Sequence, residues 1–534
     1  MKYNKIKLVA LCLCGAGLLA SCSKDFLDRE PSGLFTTDQF TKAQMWNPDI
    51  LRAFPSGGIS TTFAYGAGGI GGHSDFGQKS VDIQLDLMSG DMEQVNANYG
   101  HFESASDLTL SKSSSNAYAY ANWRYYYKLV LAANNIFDII GTDEEVSKDA
   151  SDENKLYFAQ SKILRGFAYY YLVNLYGKPY MTDKDSPAIP LYRSAKEGIP
   201  SKRATVAEVY AQVIKDLSVA RSVLESLPEE IKSQANKDNV NEDIATGLLA
   251  YSYLQMGDYT NAYKEATKLI NNNSYSLMSA RDVLESGFRD WRNSEFIWCI
   301  DLTTDNTAAL PTFWGHVDIF TMSYASVGDA KIIAPDLYKQ IPKNDVRINW
   351  FFPNAKSPFY LTPYNKFYDA GRRVQGDRTW TNDEVYMRIA EMYLVAAEAA
   401  ARGNDAANAK VALKALLSHR YNYKAHDFDP KGLTPEEIKK KEAERNDAIK
   451  KGTDELIASI DNMNNSQLLE AIHYNWRVEL WGEGRSLFTM KRFQSSVTRS
   501  TLSHALKGET YKYNDPRLTF EAPTNEVTNN PDYK

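Results

Sequence analysis

Two distant stretches of this chain carry the same pattern, and that pattern limits the fold more than any other feature of the sequence. Ile244 to Met256 has helical periodicity, Gly257-Asp258-Tyr259 interrupts it, and Thr260 to Asn271 resumes it with Ala262, Ala266 and Leu269 on one face. The arrangement returns at Val385 to Arg402, Gly403-Asn404-Asp405 and Ala406 to His419. Small inward residues let paired helices approach closely, so each stretch predicts a helical hairpin. About 145 residues separate the copies, whereas helical-pair arrays repeat roughly every 34. Other structure must therefore interrupt the stack.

The rest of the chain supplies more helices of the same kind. Trp123, Tyr126, Tyr127, Val130, Leu131 and Phe137 form one apolar stripe from Asn122 onward. A second helix carries Leu164, Ala168, Tyr171, Leu172 and Leu175 and stops at Gly177 with Pro179 beyond it. Thr205-Val206-Ala207-Glu208 is a capping box, and Val206, Val209, Tyr210, Val213, Leu217 and Ala220 share the face that follows. Thr434-Pro435-Glu436-Glu437 opens a strongly charged helix through Lys451, which reads as a solvated face. The last helix begins near Ser466 and leads into Trp476 to Arg485; the final forty residues read as loop and coil that must pack back onto the body. The expected fold class is mostly α, a tetratricopeptide-like scaffold of helical pairs with a loop-rich region of irregular segments and short strands.

That region is Ser286 to Trp380. It contains seven prolines or glycines between Pro335 and Gly376, and it holds Trp291, Trp298, Trp314, Trp350 and Trp380. Irregular segments of this length are uncommon unless they are functional. The chain therefore divides into an N-terminal region 22–285 with helical pairs, an aromatic loop-rich segment 286–380 and a C-terminal helical region 381–534, expected to form one compact unit.

The N-terminus gives an address. Lys2, Lys5 and Lys7 precede an apolar run, Leu8 to Ala20, that is too short to span a bilayer, so residues 1–21 read as an export signal. Leu18-Leu19-Ala20-Ser21-Cys22 resembles a bacterial lipoprotein box, with Cys22 as the lipidated first residue of the mature chain. Without the signal the net charge moves from −6 to −9, which disfavours nucleic acid as a partner. Cys12 and Cys14 leave with the signal and Cys22 is acylated, so Cys299 remains without a disulfide partner. Stability must come from an apolar core, and Cys299, within the strand-like run Phe296 to Leu302, belongs to it.

No catalytic constellation is present. The sequence lacks H-E-x-x-H, paired-cysteine zinc spacing, G-x-S-x-G, an EF-hand loop and a P-loop, and its seven histidines, at 73, 101, 316, 419, 426, 473 and 504, are scattered. Gly66-Ala67-Gly68-Gly69-Ile70-Gly71 matches G-x-G-x-x-G, but no strand precedes it and no helix follows, so it reads as a loop needing positive φ. Arg388, Glu391 and Glu398, with Arg477, Glu479, Glu483 and Arg485, read as ion pairs that fix how helices meet. The chain is expected to be no enzyme and to need no cofactor or metal.

Several pieces together resemble the SusD/RagB family of surface nutrient-binding lipoproteins. They are Cys22 to Pro31, Leu164 to Gly177, Thr205 to Ala220, Arg388 to Leu394 with Ala397 to Ala399, and Arg477 to Arg492. Thr489-Met490 stands before Lys491-Arg492 where the family often has Asp-Leu. The resemblance implies a glycan ligand, delivery to a SusC-like TonB-dependent outer-membrane transporter, and an outer-membrane position anchored through Cys22 and facing outward. Its alternatives are a peptide-binding RagB-type lipoprotein and a surface hydrolase. Sugar rings pack C–H faces against aromatic planes while polar side chains take their hydroxyls. The candidate ligand residues are Phe63 and Tyr65 in the glycine-rich loop, Asn98 and Tyr99 after it, and Trp314, Asp318, Phe320 and Tyr324, with Trp314 the first choice because it stands between Pro311 and Gly315 outside any periodic run. Trp298 alternates with Phe296 and Ile300 and is assigned to the core.

Overall fold

The computed structural model describes residues 48–112, 114–197, 201–307, 310–372 and 381–533. The signal at 1–21, Cys22, the tether that follows it and Trp380 lie outside the described residues. Arg52–Lys534 is a compact unit of its own, separate from the preceding segment. It holds the helical scaffold and its loops.

Its principal helices are α1 (Ala53–Thr61), α2 (Gln78–Ser89), α3 (Ala117–Ile140), α4 (Asp152–Tyr176), α5 (Val206–Ser226), α6 (Glu242–Met256), α7 (Tyr259–Ile270), α8 (Ile389–Arg402), α9 (Ala406–Ser418), α10 (Pro435–Asp461), α11 (Asn465–Glu479) and α12 (Ser486–Phe493). Each of α3 to α9 packs against the next, so the stack runs on without a break although 118 residues lie between α7 and α8. The expected caps are present. The Thr205 and Thr434 side chains each accept the N–H three residues on, and Gly257 ends α6 with φ 75°, a left-handed conformation that glycine adopts without a Cβ penalty.

Two expectations need correction. Val385 to Arg388 is not the first turn of a helix. Glu384–Arg388 is a strand, antiparallel to Phe296–Ile300, and the helix begins at Ile389. Alternating Val385, Tyr386 and Met387 bury against a partner strand that only the tertiary fold supplies. Leu131, placed in the apolar stripe of α3, is 52% exposed.

Among the described residues, four two-stranded sheets fasten the loops to the helices. Met92–Gln94 pairs with Lys331–Ile333, Pro187–Pro190 with Arg203–Thr205, Phe296–Ile300 with Glu384–Arg388, and Ser496–Thr498 with Thr510–Lys512, all antiparallel. Trp298 and Cys299 are buried in the core, and burial pushes the Cys299 thiol well above its ordinary range. The C-terminal coil packs back onto the body: the Phe520 N–H donates to the Leu175 carbonyl (2.9 Å) and the Glu521 N–H to that of Ser111 (2.8 Å).

The charged residues of α8, α11 and the turn after α11 do meet as ion pairs. Arg388 donates to Glu295 (2.5 Å), Glu479 (2.7 Å) and Glu483 (2.8 Å), while Arg420 and Arg347 reach Glu479 at 2.9 and 3.1 Å. Arg485 pairs with Glu391, and Arg492 with Glu398. All three guanidinium groups around Glu479 are fully buried, so the network closes the junction of the 384–388 strand with α8, α9 and α11.

Candidate functional site

The glycine-rich loop is tied down rather than free. Gly66, Gly69 and Gly71 take φ of 73°, 80° and 64°, and the Asp75 carboxylate accepts the N–H groups of Gly68 (2.6 Å) and Ile70 (3.1 Å). A side-chain carboxylate thus takes the amides that a phosphate would need in a nucleotide loop. The Tyr65 hydroxyl donates to the Gly71 carbonyl, which holds the ring out from the loop. Tyr65 is 45% exposed.

The antiparallel pairing of 92–94 with 331–333 sets the opposite side. It continues as Val95 N–H to the Ala330 carbonyl (3.1 Å), and the Tyr99 N–H donates to Asp329 Oδ1 (3.1 Å). Residues 98–101 are thereby laid beside 324–329. Asn98 lies directly over Gly328, where a Cβ would come within 2.0 Å of its amide nitrogen.

These two supports bring five rings into one ladder. Tyr99 and His101 are parallel within 7° at 6.3 Å, and Tyr324 meets them edge-on at 5.3 and 4.4 Å. His73 lies 5.7 Å from Tyr324 and hydrogen-bonds its hydroxyl, and Tyr65 stands 6.1 Å beyond His73. His316 stacks beneath Tyr324 at 4.9 Å, with Phe76 and Phe102 against it as a floor. Tyr99, 54% exposed, and Tyr65 form the rim. Burial holds the His101 and His316 imidazoles below their ordinary pKa, so these two rings stay uncharged at neutral pH. Burial also pushes the Lys331 ammonium down to about 8.

Tyr65, Asn98, Tyr99 and Tyr324 therefore come together, although Tyr324 is only 7% exposed. The other candidates do not join them. Trp314 is 3% exposed, in the short helix Phe313–Val317, edge-on to Phe313 and Phe367, and offers no free face to a ligand. The Thr312 side chain caps that helix and turns the ring inward, so an aperiodic setting between proline and glycine did not mean exposure. Asp318 is buried and shapes a turn by accepting the Phe320 N–H (3.0 Å) and the Thr321 hydroxyl (2.7 Å). Phe320 packs into a cluster with Ile319, Ala325 and Tyr368. Phe63 lines a different groove, of about 580 Å³, with Gln160, Asp238, Asn239 and Asp301.

Sequence reasoning missed His73, His101 and His316. A histidine adjoining glycine and close to another aromatic recurs in Tyr99-Gly100-His101 and Trp314-Gly315-His316, and that pattern was the available signal. Among the described residues no group of three or more His, Cys, Asp or Glu side chains is placed to hold a metal ion. What the arrangement offers is flat aromatic surface, the rim hydroxyls and an exposed amide, which suits a ligand with both C–H faces and hydroxyls.

Comparison with known families decides the relationship. Residues 77–254 match a family described as starch-binding and associating with the outer membrane, SusD-like, and residues 353–533 match the SusD family itself. The chain belongs to the SusD family. The two matches together span about two thirds of its length. SusD-like protein P25 of Formosa agariphila is 22% identical over 443 residues, covering 73% of this chain and 78% of that protein. SusD-like protein P2 of the same organism is 28% identical over 277 residues, 51% of this chain and 47% of the relative. Solved SusD-family structures share the fold. A SusD-like carbohydrate-binding protein from Bacteroides vulgatus superposes with a TM-score of 0.70 at 22% identity, covering 91% of this chain and 96% of its own, and a SusD superfamily protein from Bacteroides thetaiotaomicron with 0.69 at 21%, covering 91% and 98%. No helix among the described residues is long and apolar enough to cross a membrane.

Proposed function

We propose that this SusD-family protein is a cell-surface lipoprotein that binds an oligosaccharide or polysaccharide on the Tyr65–Tyr99–Tyr324 ladder and delivers it to a SusC-like TonB-dependent transporter. The carrying observation is the rim of two exposed tyrosines above a packed floor of histidine and phenylalanine rings. Large exposed aromatics are costly to leave in water and rigid enough to bind without much loss of freedom. The lipid anchor at Cys22 and the outward orientation rest on the signal-like N-terminus and the family's association with the outer membrane. The transporter rests on family resemblance.

Native gel retardation against a panel of plant, host and microbial polysaccharides tests the binding step. One stacking ring contributes about 0.5–1.5 kcal/mol beyond its buried area, so Tyr99→Ala should weaken binding at least roughly two- to twelvefold while circular dichroism stays unchanged. Affinity equal to wild type in Tyr65→Ala/Tyr99→Ala would overturn the assignment. A panel without retardation, beside binding to peptides, would favour the peptide-binding branch.

A further inference from the structure

The segment that carries Tyr324 also carries Phe320, and Phe320 leads to a second aromatic cluster, buried except at its outer edge. Phe320 packs with Ile319, Ala325 and Tyr368, and the partly exposed Phe359 and Tyr364 cover that cluster. Four positions separate Phe320 from Tyr324, at most about 14 Å of extended chain. The cluster is thus tied close to the ladder by the chain itself.

Two guanidinium groups rest on this cluster. Arg372 lies 3.6 Å from the centre of the Tyr368 ring, 5.2 Å from that of Tyr364 and 5.4 Å from that of Phe320. Arg289 lies 4.8 Å from the same Tyr368 ring. Among the described residues no carboxylate comes within ion-pair distance of either. Of the nearby acids, Glu285 pairs with Arg281, Asp290 pairs with Arg292 and feels the Arg289 charge only at longer range, and Asp369 accepts the Gly371 N–H and the Asn382 amide. Arg372 spends one donor on Asn365 (2.7 Å), and Arg289 Nη1 is buried without a hydrogen-bond partner. A guanidinium has five N–H donors. In a chain of net charge −6, where Arg347, Arg388 and Arg420 are each ion-paired, two guanidinium groups on one tyrosine that make no ion pair keep N–H donors available to an anion from outside. The stacked rings hold each planar fork in place, and a held fork binds carboxylate or sulfate through two parallel hydrogen bonds.

We propose that Arg372 and Arg289 form an anion-reading subsite beside the ladder, so that the ligand is a glycan carrying carboxylate or sulfate groups. This rests on the glycan-binding reading above and adds the ligand's charge to it. A neutral sugar would leave both guanidinium charges without a partner, which is unfavourable once the ligand has displaced water.

Native affinity gels of the purified protein with polygalacturonate, its methyl ester, dextran sulfate or dextran test the subsite. Wild type should be retarded more strongly by polygalacturonate than by the ester, or by dextran sulfate than by dextran, and the larger ratio names the group. That ratio should fall at least tenfold in Arg289→Gln/Arg372→Gln, with Arg372→Gln alone as the milder variant and circular dichroism as the check on folding. Arg372→Lys, a point charge without the fork, should recover part of it. Equal retardation by charged and uncharged polymers, no retardation by either charged polymer, or a ratio unchanged in the double variant would each overturn the subsite. Tyr99→Ala separates the two readings. Binding lost there, with the charge preference kept in the double arginine variant, removes the subsite and leaves the ladder; the reverse result removes the ladder.

Discussion

Arg388 stands where the strand Glu384–Arg388 turns into α8, and its buried guanidinium bonds to glutamates from two other parts of the chain. Burial alone would raise the carboxyls of Glu479 and Glu483. Arg420, Arg388 and Arg347 more than reverse this at Glu479, which is held well below its ordinary range, and Arg388 with Lys366 holds Glu483 at about 2. Replacing Arg388 by Met takes one cation from each of these carboxylates, leaving Glu479 to Arg420 and Arg347 and Glu483 to Lys366, and should cost about 3–5 kcal/mol, measured by urea denaturation at pH 7. The sign of the pH effect follows from the depressed folded-state pKa values. Their stabilisation is complete above about pH 4.5 and is lost as the pH falls toward 2, so the gap between wild type and Arg388→Met should narrow over that window. A gap independent of pH would show that packing rather than charge sets the cost. At this scale the sequence was legible for Cys299, Trp298 and the ion pairs, because an apolar run or an amphipathic helix has one inward face. It misled for Trp314, since burial of a ring outside any periodic run depends on what lies opposite.

Among the elements, α10 tests how far local signals suffice. Thr434, Pro435 and Glu437 specify its start, and Ile460 is its one fully buried residue among those described, so capping rather than packing holds the first turn. Thr434→Ala should destabilise that end by about 1 kcal/mol. Hydrogen exchange at residues 436–439 should quicken severalfold while the global melting temperature stays nearly constant; a matching fall in melting temperature would mean that α10 unfolds together with the body. The strand 384–388 is the opposite case. Its residues read as helix because the adjoining sequence is helical, and only the partner at 296–300 selects extended backbone. The ladder belongs here too. Tyr65 was legible as a loop aromatic, but its sharing one ladder with Tyr99 depends on the register between 92–94 and 331–333, set by residues more than 230 positions apart.

At the scale of the whole molecule, the C-terminal coil completes the body. Phe520 lies 5.6 Å from Tyr176, and Tyr533 6.3 Å edge-on from Trp123, so the tail seals the outer side of α3 and α4. Deleting residues 519–534 uncovers those rings and should lower stability by about 3–6 kcal/mol, at roughly 1.5–3 for each buried aromatic, measured by chemical denaturation; an unchanged midpoint would show the tail to be dispensable. The sequence by itself determined the mostly helical class, the paired helices, their caps, the reliance on an apolar core and the family, because each is written in local periodicity or in a short motif. Tertiary structure alone decided that α8 stacks on α7 across the long insertion, which aromatics face outward, and that three scattered histidines meet under Tyr324. The reason is physical. Periodicity reports which face of an element is apolar, whereas a binding surface is made of side chains left uncovered after distant segments pack, and no local stretch contains that information.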